Sequence, residues 1–511
     1  MRNTEEPKDL TVAISRDKSI YSSDAPYDPS ESYPEYPFDP GHVSGVDNPA
    51  YRTVRNNFIL LKMDPEQIGL PSWNPLRDIV RPGSKVVIKP NFVIDRHYGG
   101  GDLYSIVTHP SVIRAVADFC LIAMRGKGEL IIADAPVEDC DFGNLIEIMR
   151  LREVQSAYQS RADFDLQVRD LRQYTTLPGD RVYKSRRTQL PGDPDGNVIV
   201  DLGETSALAG KQGPFFGSDP DTEETNANHH GSTHRYCISG TVLSCDSLIS
   251  IPKLKVHKKV GVTLNLKNMV GINTNKNYLV HYTLGTPRSG GDQTVDPKKA
   301  ADTTILRMRR LISDTFVKSH NPVLERIHKV FFHSRPYLVF RGMLRRLGVE
   351  QSAAAAGADG GNWYGNDTCW RMVADLARIF SYADKDGVLH TAPQRTLFSI
   401  VDGIMGGDTN GPLRPRTRRE GVVVSGVSPL AVDIACVRLM GFDPNRLPLF
   451  TSLMGFQGLL HLTSEADIAI TTADPELAQC ISSPGEYLAF APHLNWAGHI
   501  ETDTGKSRAG Q

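Results

Sequence analysis

The sequence predicts an α/β layered fold with a mixed or mostly parallel sheet, and three observations carry that expectation. Short aliphatic runs of strand length recur at residues 85–88, 129–133, 241–251 and 395–401. Turn residues punctuate them, as in Val80-Arg81-Pro82-Gly83, and segments with helical spacing follow polar loops. Polar residues also stand at or just past the ends of these runs: Lys89 with Asn91, Asp134, Lys253, and Asp402. In open α/β sheets, ligands bind beyond the carboxyl ends of the strands, so a polar site is expected there.

A chain of 511 residues is long enough for two domains, or for one domain with large insertions. The pattern divides it into a first part of the α/β domain at 8–274, with irregular excursions at 20–50 and 205–235, and a basic helical insertion with a linker at 275–361. A second part of the α/β domain spans 362–500 and a flexible tail 501–511. With 57 Lys+Arg against 59 Asp+Glu, the net charge of −2 provides no global field for nucleic acid or an anionic membrane. No apolar run approaches the roughly 20 residues of a membrane-spanning helix. The start, MRNTEEPKDL, has no apolar signal-peptide core, so a cytoplasmic location is the default. Seven cysteines without a C-x-x-C pair argue against a zinc ribbon, an iron–sulfur cluster and a disulfide framework.

Taken in order, residues 10–15 read as a first strand, 20–50 as an irregular surface excursion rich in Pro, Tyr and Asp, and 51–63 as either strand or helix. Lys89 and Asn91 follow the strand at 85–88. Thr108 is placed as an N-cap and Pro110 near N1 of a helix running to about 124, which puts His109 at a helix start, where the dipole lowers its proton affinity. Asp134 after the strand at 129–133 suits a metal, a sugar hydroxyl or a helix cap. Helical spacing returns at 142–156, and 157–236 alternates strand-like pieces with turns. His229 and His230 lie in a polar run and read as surface residues.

Residues 249–273, ISIPKLKVHKKVGVTLNLKNMVGIN, are the most informative stretch. Pro252 ends a buried strand because it cannot donate a ladder hydrogen bond. Lys253, Lys255 and His257 follow within a few residues. Then Thr263, Asn265, Lys267 and Asn268 interleave with Val262, Leu264 and Leu266, a spacing that lines one face of a strand. Gly271 closes the stretch and permits a turn with positive φ. Lysines supply point charges and asparagines two donors and an acceptor, the chemistry that an anionic or polyoxygenated ligand needs.

These residues carry a resemblance. IPKLKVH followed by TLNLKNMVGI resembles the central signature of the DUF362 family, a group defined by sequence and largely uncharacterised. KVVIKPNFV at 85–93, VTHPSVIRAVADF at 107–119, and IVDGIMGGDTNGP with PLAVDIACVRLMGFDP within 400–444 extend it in the same order. Some family members carry an added iron–sulfur segment, which this chain lacks.

Between residues 278 and 355 the pattern pauses. Residues 305–350 hold ten basic residues against three acidic ones, with apolar residues spaced for amphipathic helices that can cap a site, join a dimer or lie on an anionic membrane surface. The oligomeric state is left open. Residues 370–382 read as a helix and 395–401 as a buried strand ending at Asp402. The following IMGGDTNGP reads as a glycine-rich loop offering Asn410. It is neither a Walker A motif nor G-x-G-x-x-G, so nucleotide binding has no motif support. Asp433 in the helix 429–440 is expected to pair with a strand-end lysine, since a buried acid needs a partner.

The reading that joins these residues is an enzyme acting on a small anionic metabolite, phosphorylated or carboxylated. Lys89, Lys253 and Lys255 would bind charge, while Asn91, Thr263, Asn265, Lys267, Asn268 and Asn410 would complete the binding set. His257, His109 or Lys255 would do the proton transfer or nucleophilic chemistry. Asp134 and Asp402 are the candidates to hold a divalent metal. The alternative is a non-catalytic anion-binding or accessory protein in a biosynthetic pathway.

Overall fold

The computed structural model describes residues 10–177, 187–217, 221–295, 358–454, 467–482 and 488–502, together with positions 323, 330 and 339. The fold is mixed α/β, built on a large, mostly parallel sheet. The strands of this sheet are β1 (Thr11–Arg16), β2 (Lys85–Pro90), β3 (Glu129–Asp134), β4 (Leu166–Asp170) and β5 (Ser247–Ile251). They continue with β6 (Lys253–His257), β7 (Gly261–Thr263), β8 (Thr396–Asp408), β9 (Arg416–Gly426) and β10 (Ala469–Thr471). Among the described residues the order is β10-β1-β9-β8-β5-β2-β3-β4, with β6 pairing β8 and β7. Strands from both sides of the insertion therefore share one sheet.

Alternation along the strands sends side chains to two cores. Val86 and Ile88 of β2 join one apolar cluster and Val87 the other, as period-two geometry requires. Helices Pro49–Leu60 and Pro110–Met124 cover the first face. Helices Cys369–Tyr382 and Pro429–Leu439 cover the second. β5, SLISI, is buried throughout, as expected of a central parallel strand with both faces covered.

Several local expectations change. The ambiguous segment at 51–63 is helical from Pro49, capped by the Asn48 side chain on the Tyr51 N–H, and it buries Val54 and Phe58 on one face. The run 241–251 is split into a helical turn, Gly240–Leu243, capped by Ser239, followed by β5. The segment at 142–156 forms two helices, Phe142–Ile148 and Leu151–Ala162, because Arg150 adopts φ 52° between them. The excursion at 20–50 is irregular but not superficial: Tyr27, Tyr36 and Phe38 are core residues. His229 is buried, with Nε2 on the Tyr278 carbonyl, whereas His230 is exposed.

The glycine-rich stretch after Asp402 is strand, not loop. β8 runs to Asp408 and forms a hairpin ladder with β9, bulged between Gly403 and Met405. Its glycines answer to crowding: a Cβ on Gly406 would lie 2.8 Å from the Leu254 carbonyl oxygen and 3.0 Å from the Phe490 ring. Apart from positions 323, 330 and 339, the basic segment at 305–350 lies outside the described residues, as does the tail from 503. Among the described residues no helix is long and apolar enough to cross a membrane.

Candidate functional site

The predicted site residues fall into four places, of which one is a cavity. At the carboxyl ends of β2 and β3, Lys89 and Asp134 form a buried ion pair of 2.7 Å. The Phe92 N–H donates to the other Asp134 oxygen at 2.7 Å, and Lys89 Nζ donates to the Pro90 carbonyl and to Asn268 Oδ1. Gly271 lies directly over this pair, where a Cβ would stand 1.9 Å from Asp134 Oδ1. Its φ is not positive, so the glycine is explained by this close approach and not by the left-handed turn the sequence suggested.

Beyond this pair opens a cavity of about 310 Å³. It is lined by Lys89, Asn91, Asp134, Lys255, His257, Thr263, Lys267 and Asn268, all singled out in the sequence. Lys258, Lys259, Lys276, His281, Tyr282 and Asn362 also line it. Lys258 and Lys259 belong to the basic run already visible after β6. Lys276, His281 and Asn362 carry no sequence signal, and Asn362 arrives from beyond the insertion.

The predicted strand face over 263–268 is only partly formed. β7 ends at Thr263 and the chain turns into a helical turn, Asn265–Asn268. That turn sends Asn265 away from the cavity: its N–H and Nδ2 each donate to Asp433 Oδ1 at 2.8 Å, and the Leu266 N–H donates to Asp433 Oδ2. Asp433 thus pairs with the start of this turn and not with a lysine, and Asn265 anchors it. Burial pushes the Asp433 carboxyl up to about 7 despite these donors.

Lys253, Asp402 and His109 form a separate buried cluster away from the cavity lining. Lys253 and Asp402 are opposite residues of β6 and β8 and pair at 2.8 Å, both fully buried. Asp402 is therefore inside β8 and not at a strand end. It also accepts from the Tyr21 hydroxyl and the His109 N–H. His109, not Thr108, caps helix Pro110–Met124, its Nδ1 accepting from the Ser111 N–H, while its ring stacks on Tyr21 at 3.9 Å. Thr108 Oγ1 donates to the Ile251 carbonyl and so ties the helix start to the sheet. Burial and Lys253 hold the His109 imidazole well below its ordinary proton affinity. Asn410 is exposed and not among the cavity residues.

Inside the cavity the charges are unequal. Lys89 has Asp134, but Lys255 and Lys267 are buried with no carboxylate partner among the described residues. Lys255 Nζ donates to the Ile106 carbonyl at 2.6 Å. Burial, then Lys253 and Lys267, drive its proton affinity well below the ordinary lysine value. Burial also lowers Lys267, and burial with Lys258 brings Lys259 down to about 7. His257 Nδ1 accepts from the Lys259 N–H, so in the neutral ring the proton is on Nε2. Burial and Lys267 keep that ring neutral. In that form His257 has Nδ1 occupied as an acceptor and Nε2 as a donor.

Asp134 and Asp402 are not brought together, and each is engaged by its own lysine. Among the described residues no three His, Cys, Asp or Glu side chains gather as a metal-binding set. The six cysteines whose side chains are described are free and buried.

No curated protein and no solved structure matches the chain. Residues 189–438 match a family model described as a domain of unknown function, DUF362. The matched span contains the cavity segment from Lys255 to Asn268 and all of β8, while the stretches at 85–93 and 107–119 lie before it. Across residues 189–438 the chain is thus similar to the DUF362 domain, a domain of unknown function.

Proposed function

We propose that the protein binds a small anionic metabolite, phosphorylated or carboxylated, in this cavity and acts on it as an enzyme. One observation carries the reading: Lys255 and Lys267 are buried in the cavity wall with no carboxylate partner among the described residues, and Asp134, the carboxylate that lines the cavity, is already paired with Lys89. Burying lysines without counter-ions is costly, and an anionic ligand supplies the missing charge. His257 Nε2–H and the Asn91 amide then orient the bound group. Burial and the neighbouring lysines lower the proton affinity of Lys255, which favours chemistry over simple storage, because an unprotonated amine is a base or nucleophile where a cation is neither. A divalent metal is not needed in this scheme, since both candidate carboxylates are committed to lysines.

The test is a thermal-shift panel of sugar phosphates, dicarboxylates and 2-oxo acids against the native chain and Lys267→Met. A ligand that binds the folded state alone raises the melting temperature with its saturation. The expected result is a rise with at least one anion that Lys267→Met abolishes. A panel without any rise, or a rise that survives Lys267→Met undiminished, would overturn the proposal.

A further inference from the structure

We propose that Lys255 is a Schiff-base lysine and that the ligand is an anionic carbonyl compound, a 2-oxo acid or a phosphorylated ketone or aldehyde. The inference rests on the anionic-ligand reading above and narrows its chemistry.

Three observations single out Lys255 among the lysines of the cavity. Lys89 is held by Asp134, and Lys253, outside the cavity, by Asp402; burial lowers the proton affinity of both amines, and in each the carboxylate opposes that effect. Lys255 has no carboxylate partner among the described residues, and its amine donates to the Ile106 carbonyl. An amine that donates one hydrogen to a carbonyl keeps its lone pair for an electrophile in the cavity that it lines. Burial, together with the nearby Lys253 and Lys267, favours the neutral form of this amine.

The third observation is what stands beside it. Lys255 and Thr263 are opposite residues in the β6–β7 ladder, which puts their side chains on one face. Thr263 is buried, lines the same cavity, and its Oγ1 has no hydrogen-bond partner among the described residues. The buried Asn91 Oδ1 is likewise unpartnered. Orphaned polar atoms are rare in folded proteins and are satisfied by a ligand or ordered water. A carbinolamine hydroxyl next to Lys255 would satisfy Thr263.

The chemistry balances without an external reagent. The Lys255 lone pair forms a C–N bond to the carbonyl carbon while the C=O π pair moves to oxygen. The resulting carbinolamine loses its oxygen as water, which carries away both hydrogens of the neutral amine and leaves a C=N bond. The anionic end of the substrate would lie toward Lys258, Lys259 and Lys267, which line the same cavity.

The full chain is incubated with pyruvate, 2-oxoglutarate, dihydroxyacetone phosphate or glyceraldehyde 3-phosphate together with sodium cyanoborohydride, then analysed by intact mass and peptide mapping. The expected result is a single adduct, of probe mass less one oxygen, on Lys255. It should be lost in Lys255→Arg but retained in Lys127→Gln, an exposed lysine outside the cavity lining, with circular dichroism verifying that both variants are folded. Adducts confined to other lysines would overturn the assignment. So would a probe that raises the melting temperature of the native chain yet gives no adduct, an outcome that leaves the anion-binding reading standing. If no probe binds or reacts while a non-carbonyl anion produces the thermal shift, the carbonyl assignment fails and the binding reading survives. If no anion of any class binds, both fail.

Discussion

Replacing Gly271 with alanine tests the construction of the site, since one methyl group is aimed at its buried ion pair. The added carbon would stand 1.9 Å from Asp134 Oδ1, 2.6 Å from Lys89 Nζ and 2.8 Å from Lys89 Cε. Favourable non-bonded contacts begin near 3.5 Å, so the carboxylate must retreat by more than about 1 Å. It cannot do so and keep both the 2.7 Å contact with Lys89 and the 2.7 Å bond from Phe92 N–H. Breaking a buried pair costs about 3–5 kcal/mol, and that is the expected loss of stability. Backbone strain adds nothing, because φ at this glycine lies outside the left-handed region. Urea unfolding of Gly271→Ala, Asp134→Ala and the double variant measures it. With the carboxylate gone its closest clash is removed and the end of the Lys89 side chain, no longer held by Asp134, can move off the methyl, so the cost in the Asp134→Ala background should fall below about 1 kcal/mol. A Gly271→Ala variant within about 1 kcal/mol of the native chain, or two costs that simply add, would refute the reasoning.

Three further outcomes follow from the other clusters. Lys253→Met leaves Asp402 buried without its cation and should cost about 3–5 kcal/mol in urea unfolding. It should weaken sulfate binding far less than Lys267→Met does, since Lys253 is not among the cavity residues; equal losses in the two variants would contradict this. Lys259, brought down to about 7, gains its charge as pH falls through that value, so sulfate should bind more tightly at pH 6 than at pH 8. The dependence should not exceed about tenfold per pH unit in calorimetry and should flatten in Lys259→Gln. Asp433 has its folded proton affinity raised from 3.8 to about 7, so the folded state holds the proton more tightly than the unfolded chain. Its contribution to stability is complete below about pH 4 and is lost as pH rises through 7. Asp433→Asn should remove that part of the pH profile, and an unchanged profile would show that this carboxyl does not titrate there.

The α/β class was legible in the sequence because its signal is local. Short aliphatic runs such as the one at 85–88 and 129–133, each bounded by a turn residue, can hardly be anything other than buried strands. Polar residues just past their ends mark where a sheet of this class places ligands. So Lys89, Asn91, Asp134, Lys255 and Lys267 could be named before any coordinate was known. Gly271 was recognised as special, but for a conformational reason where the cause is a contact with residues more than a hundred positions away.

What only the tertiary structure decided is which polar residues share a space. The spacing at 253–268 is as compatible with a continuous strand as with the strand-then-turn that forms. The choice is made by Asp433, which offers acceptors to the Asn265 and Leu266 N–H groups from a helix over 160 residues later. Lys253 and Lys255 are two residues apart and chemically identical, yet one meets Asp402 across the ladder and the other meets a carbonyl and an open cavity. Partners brought by folding set the charge state of a buried amine, and the sequence records the amine without recording its partners. Composition and periodicity determine where the chain is buried; long-range pairing determines which buried lysine faces a carboxylate and which faces a carbonyl beside the cavity.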